Sequence, residues 1–197
     1  MAVVTPTTEL EAVNVMLSTI GESPVNTLED DNVVDAAIAR TILGSINREV
    51  QSIGWNFNTE IGFPILKDSL GKFPLPANTA RVDTVNTVES SSATDYDLVL
   101  RGKYLYDRKN HTDVFTQDLK VIITFQLDFT EMPEQFRYFV LVRASRKFAN
   151  RFLGSQEIEA FTLRDEIEAK ARAIESDSEN ADRTIFDNYD VQRVIDR

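Results

Sequence analysis

Apolar residues recur at helical spacing in both ends of this chain and at strand spacing in its middle. Such a chain suits neither an all-helical nor an all-β fold. Its simplest organisation is helix–helix, a β-rich insert, helix–helix and a tail. The fold class expected is α+β: a four-helix bundle from the N- and C-terminal segments, a β-rich domain inserted between helices two and three, and a C-terminal arm. The boundaries read as 1–57, 58–128, 129–175 and 176–197.

The first helix is marked by capping-box spacing at Thr8 and Glu11, with Leu10, Val13, Met16, Leu17 and Ile20 behind it and Gly21 as a stop. A loop over Glu22–Asp31 follows. The second helix is expected from after Asn32 to about Ile53. Ala36, Ala39, Leu43, Ile46, Val50 and Ile53 form its seam, with Arg40, Arg48, Glu49 and Gln51 on other faces. The period then shifts. Trp55, Phe57, Thr59 and Ile61 alternate as in a strand, with Trp55 as an anchor at the junction. Further β pieces are expected at Ile61–Leu66, Ala80–Val88, Asp97–Leu100, Lys103–Tyr106 and Lys120–Phe125, with a hairpin at Arg101-Gly102-Lys103. Pro64, Pro74 and Pro76 belong at edges or connections. Residues 89–94 are polar and read as an exposed loop tip.

After Met132 the helical period returns. Pro133 suits a first turn, Phe136, Val140, Ala144, Phe148 and Phe152 define one face, Phe139 and Leu141 widen it, and Gly154 stops it. These phenylalanines read as core. Ser155 would cap a fourth helix carrying a looser stripe of Ile158, Phe161, Leu163, Ile167, Ala171 and Ile174. Glu166–Lys170 and Glu168–Arg172 have helix-supporting spacing. Beyond Glu175 the chain turns polar, then places Phe186, Tyr189 and Val194 among charges. That composition suits an arm that orders against a partner surface.

The composition, 42% apolar and 27% charged, is that of a folded domain. No apolar run approaches the ~20 residues of a membrane span. The opening MAVVTPTTELEAV lacks a basic stretch before an apolar one, so neither a signal peptide nor membrane insertion is expected. There are no cysteines, which excludes disulfides and zinc–thiolate sites. A formal net charge of −11 disfavours sequence-independent DNA binding, although an acidic wall would let DNA pass without holding it.

Chemistry-bearing motifs are sparse. His111, the single histidine, has Asn110 and Asp113 nearby but no metal-ligand spacing. No G-x-S-x-G, G-x-x-x-x-G-K-[ST] or G-x-G-x-x-G occurs. No catalytic residue, cofactor or metal is therefore expected. Paired carboxylates leave one enzymatic alternative, a glycan hydrolase with two acids about 5–10 Å apart. Glu29-Asp30-Asp31 and Asp95/Asp97 are the available pairs, with solvated loop charge as the competing reading.

One cluster stands out in an acidic chain. Arg137, Arg143, Arg146, Lys147 and Arg151 crowd the third helix, and the fourth is rich in glutamate. These faces can pair inside one bundle, or one subunit's arginines can meet another's acids in a heterologous contact that closes into a ring. Arg143, Arg146 and Arg151 are the expected donors to a neighbour's Glu159 or Glu166.

Three segments carry a family resemblance: LSTIGESPVNTLED (Leu17–Asp30), INREVQSIGWNFN (Ile46–Asn58) and EMPEQFRYFVLVRASRKFANRFLGS (Glu131–Ser155). In order, spacing and total length the chain resembles tail tubular protein A, the adaptor or gatekeeper family of short-tailed bacteriophages. The resemblance implies a helical bundle with a β-rich domain and a dodecameric ring below the portal protein. It also implies a nozzle (tail tubular protein B) beneath, tail fibres docked at the side, and a channel extended for genome ejection with DNA as passing cargo. Assembly in the host cytoplasm and residence in the virion tail go with it. Phe186, Tyr189 and Val194 would then contact the portal or a neighbour.

Overall fold

The computed structural model describes residues 6–29, 33–85, 96–154 and 156–180, with side chains of 163–179 in the last stretch. Among these lie four helices, α1 (Glu9–Thr19), α2 (Val34–Gln51), α3 (Glu134–Leu153) and α4 (Gln156–Asn180), and five strands, β1 (Thr59–Ile65), β2 (Thr79–Thr84), β3 (Leu98–Arg101), β4 (Tyr104–Asp107) and β5 (Leu119–Phe125). The protein is of mixed α+β class. It divides into a helical unit, residues 1–46 with 132–197, and a β-rich unit, residues 47–131. These boundaries fall at 46/47 and 131/132, whereas the sequence pattern suggested 57/58 and 128/129.

In the helical unit α1 begins as its capping box dictates. The Glu11 N–H donates to Thr8 Oγ1 at 3.2 Å, and the Thr8 N–H donates to Glu11 Oε2 at 2.8 Å. Its Ala12, Val13, Met16 and Leu17 are buried. The loop behind it is pinned back by Asn14, whose amide donates to Val25 O at 3.0 Å and accepts from the Val25 N–H at 2.8 Å. The α3 helix starts at Pro133 and packs on both α1 and α4. Phe136, Phe139, Val140, Ala144 and Phe148 are all fully buried. It stops at Gly154, whose left-handed φ of 59° is one that a side chain would resist. Phe152 departs from the expected core face: it is 42% exposed, with its ring 4.7 Å from that of Phe148.

The α4 helix differs from expectation in two ways. It runs on to Asn180, past the polar boundary at Glu175, because half-buried Ser176 and Asp177 continue its inner face. Among the described side chains that inner face is Glu166, Ala169 and Ala173, while Ile158 and Phe161 of the expected stripe lie outside the described side chains. Leu163, Ile167, Ala171 and Ile174 all point outward and are exposed.

The β-rich unit has a three-stranded antiparallel sheet in the order β1-β5-β2 and a separate β3-β4 hairpin. Pro64 sits in edge strand β1, where its missing N–H costs no central ladder bond. The hairpin turns at Gly102-Lys103, with Arg101 paired to Tyr104 and Gly102 at φ 65°. Only the first turn residue has a positive φ, the arrangement of a type II′ turn. Nine buried apolar residues, among them Phe73, Leu105, Phe115, Val121 and Ile123, form this unit's core.

The expected strand at Trp55–Asn58 is instead a single 3-10 turn. Asn58 is buried, and its side chain decides the geometry. Its carbonyl accepts the Trp55 N–H at 2.8 Å, and its amide donates to Gln51 O at 3.0 Å and Phe125 O at 2.8 Å. Trp55 anchors the same corner, its indole N–H donating to Val50 O at 2.8 Å. Gln51, expected on an outer face, is fully buried and exchanges two 2.8 Å hydrogen bonds with the Leu127 backbone. Ile53, expected in the seam, is 55% exposed, since α2 has already ended. The 86–88 end of the second expected β piece lies outside the described residues.

Candidate functional site

The arginines of α3 are placed first by what they already touch. Arg146 Nε donates to Glu166 Oε2 at 2.6 Å, and Arg143 lies 3.5 Å from the other oxygen of the same carboxylate. Glu166 is buried, so this is a largely desolvated ion cluster within one chain. The structure thus brings Arg143, Arg146 and Glu166 together, in cis, where the sequence pattern led us to expect a neighbour's glutamate. Arg137 is spent on the backbone, donating to Met132 O at 2.7 Å and Thr7 O at 3.0 Å. Arg151 is exposed at the end of α3. The Glu159 side chain and all of Phe186, Tyr189 and Val194 lie outside the described residues.

What the helical unit presents outward is apolar. Leu163, Ile167 and Ile174 are 43%, 61% and 46% exposed along α4. A groove of about 220 Å³ opens in the same unit, its lining including Val15 of α1, Tyr138, Leu141, Val142 and Arg146 of α3, and Asp165 of α4. Val15 and Tyr138 on its walls are themselves nearly half exposed. The sequence signal for the ridge was present as the looser stripe, but periodicity alone does not say what covers it. A helix whose only alternative inner face is Glu, Ala and Ala looks unpromising until Arg146 and Arg143 are seen to hold the glutamate.

The β-rich unit presents exposed Leu66, Leu70 and Val114 on two loops. Ion pairs brace those loops: Lys72 to Asp113 at 2.5 Å and Lys67 to Asp118 at 3.2 Å. Asp68 folds the first loop on itself by accepting the N–H groups of Leu70 and Lys72 at 2.8 and 2.9 Å.

The residues considered for chemistry have structural partners. His111 holds a left-handed position, φ 55°, in the turn after β4. That turn is organised by buried Asp107, which accepts the N–H groups of Asp97 and Lys109 at 3.0 and 2.9 Å and the Asn110 amide at 2.6 Å. Burial pushes the Asp107 carboxyl up, but these hydrogen bonds outweigh it and hold the pKa below the ordinary carboxylate value. Asp113 is also held low, first by its hydrogen bond from Lys72. Asp97 is paired with Arg108 at 2.9 Å, and Asp95, Asp30 and Asp31 lie outside the described residues. Among the described residues, no three His, Asp or Glu side chains gather as a metal's ligands would. No described helix is long and apolar enough to cross a membrane.

The profile of a family described as tail tubular protein matches residues 10–183. Tail tubular protein A of Klebsiella phage KP34 is 29% identical over 126 residues, which cover 64% of this chain and 63% of that protein. The chain therefore aligns with a little under two thirds of that relative's length.

Proposed function

The chain belongs to the tail tubular protein family and has a structural role in a phage tail; from that premise we propose that it is the tail's adaptor. In this reading copies of it form a dodecameric ring between the portal protein and a tail tubular protein B nozzle. The ring docks the tail fibres and continues the channel through which the genome is ejected. The four helices act as one bundle that carries the portal and neighbour contacts, and the inserted β domain carries the peripheral ones. Arg151 and the arm with Phe186, Tyr189 and Val194 add contacts to a neighbour or the portal.

One observation carries this reading. Among the described side chains of α4, Leu163, Ile167 and Ile174 are exposed while Ala169 and Ala173 are buried. A surface of that kind is costly in isolation and is retained where a partner covers it. The net charge of −11 supports the channel role, because an acidic wall gives DNA phosphates nothing to hold.

The test is electron microscopy of this protein mixed with its portal rings. The expected result is a second ring of density stacked on the portal. Portal rings that stay bare under conditions permitting virion maturation would overturn the adaptor role.

A further inference from the structure

The apolar ridge and the apolar groove of the helical unit face different ways. At roughly 100° per residue, Leu163, Ile167 and Ile174 fall within about 40° of one another around the α4 axis. Asp165, which lines the groove, falls about 180° from the centre of that ridge by the same count. A ridge and groove on opposed sides of one helix cannot satisfy each other in the same unit. They can do so between copies, each offering its ridge forward and its groove behind. That is the requirement for a heterologous contact, as against a two-fold one in which a patch meets itself.

Charge agrees with shape. Exposed Lys170 lies beside the ridge, about 20° from Leu163, and Asp165 stands exposed at the groove. Seating the ridge brings a cation toward an anion of the next copy. Arg146 shares this end of the groove and donates to Glu166 at 2.6 Å.

We propose that the α4 ridge of one copy seats in the α1–α3 groove of the next, with Lys170 facing the neighbour's Asp165. This deepens the adaptor reading and rests on it, by assigning the residues of the ring contact. One such contact is small and weak alone. A closed ring engages both faces of every copy, and a portal template raises the effective concentration.

The natural chain has no cysteine, so engineered ones report without background. Val15→Cys and Ile167→Cys replace exposed side chains and spare the core. Both variants, supplied together to infected cells, are recovered in virion tails and treated with a short bismaleimide cross-linker. The expected product is a dimer containing one of each variant, and the Val15→Cys/Ile167→Cys double variant should give a ladder. Incorporated variants that yield no mixed dimer and no ladder overturn the inference while leaving the tail role standing. Dimers from Ile167→Cys alone overturn it too, since a two-fold pair would then cover the ridge, and so does a cross-link confined to one chain, which would bring Val15 and Ile167 together within a single copy. Absence of even the unmodified chain from tails would instead overturn the adaptor reading. A charge swap checks the register: Asp165→Lys or Lys170→Asp alone should lower tail incorporation about tenfold, and the two together should restore it. No loss from either single change, or no restoration by the pair, contradicts the contact.

Discussion

Helices α3 and α4 pack on each other and follow opposite plans. The α3 helix turns Phe136, Phe139 and Phe148 wholly inward. Among its described side chains the α4 helix turns Ala169 and Ala173 inward and leaves Leu163, Ile167 and Ile174 in solvent. Small inward residues allow close approach, and Glu166 between Arg143 and Arg146 supplies the specific tie. The lesson is that adjacent helices can divide the work. One makes the fold's core, and the other holds on with little apolar area and keeps its large side chains for an outside surface.

The comparison breaks most visibly if α3 is emptied. Phe136→Ala should cost about 3–5 kcal/mol, the penalty of a large buried cavity. Urea unfolding followed by circular dichroism should show the helical transition moved to lower denaturant. Glu166→Ala should come next, at roughly 3 kcal/mol, because it leaves two arginines facing each other in a desolvated site. Glu166→Gln keeps hydrogen-bonding capacity and should cost less. Equal losses for the two would mean that the charge contributes nothing there.

A control lies in the β-rich unit. Asp107 has a folded pKa below its unfolded value of about 3.9, so its contribution to stability is complete above that pH. The contribution is lost as pH falls through the lower folded pKa. Below about pH 4, Asp107→Asn should narrow the stability gap to the natural chain. A gap that stays constant in acid unfolding curves would contradict the shifted carboxyl. The smallest stability effect is expected on the ridge itself. Ile167→Asp should change the unfolding free energy by no more than about 0.5 kcal/mol, as for other exposed sites. A large loss of stability would place Ile167 in the fold and erase the contrast between the helices.

Much of this architecture was legible in the residues. Thr8 with Glu11, Gly102 and Gly154 mark their boundaries through local chemistry, and local chemistry needs no knowledge of the rest of the chain. The phenylalanine face of α3 was legible because only a core takes that many aromatics. The inward face of α4 was not. Periodicity locates an apolar stripe but not what covers it, and Glu166 looks like any solvated glutamate until Arg146 meets it at 2.6 Å. Gln51 and Asn58 escaped for the same reason. An amide is read as surface, and its burial depends on backbone groups at Leu127 and Phe125, some seventy positions away. The ring contact we propose, too, depends on surfaces whose meaning comes from a second copy.

Maleimide labelling of Ile167→Cys measures directly whether the α4 face is covered in the tail. The rate should be fast in the isolated chain, where this position is 61% exposed, and should fall at least about tenfold in assembled virion tails. Equal rates in the two states would show the face still open to water after assembly, and would contradict the division of labour between α3 and α4.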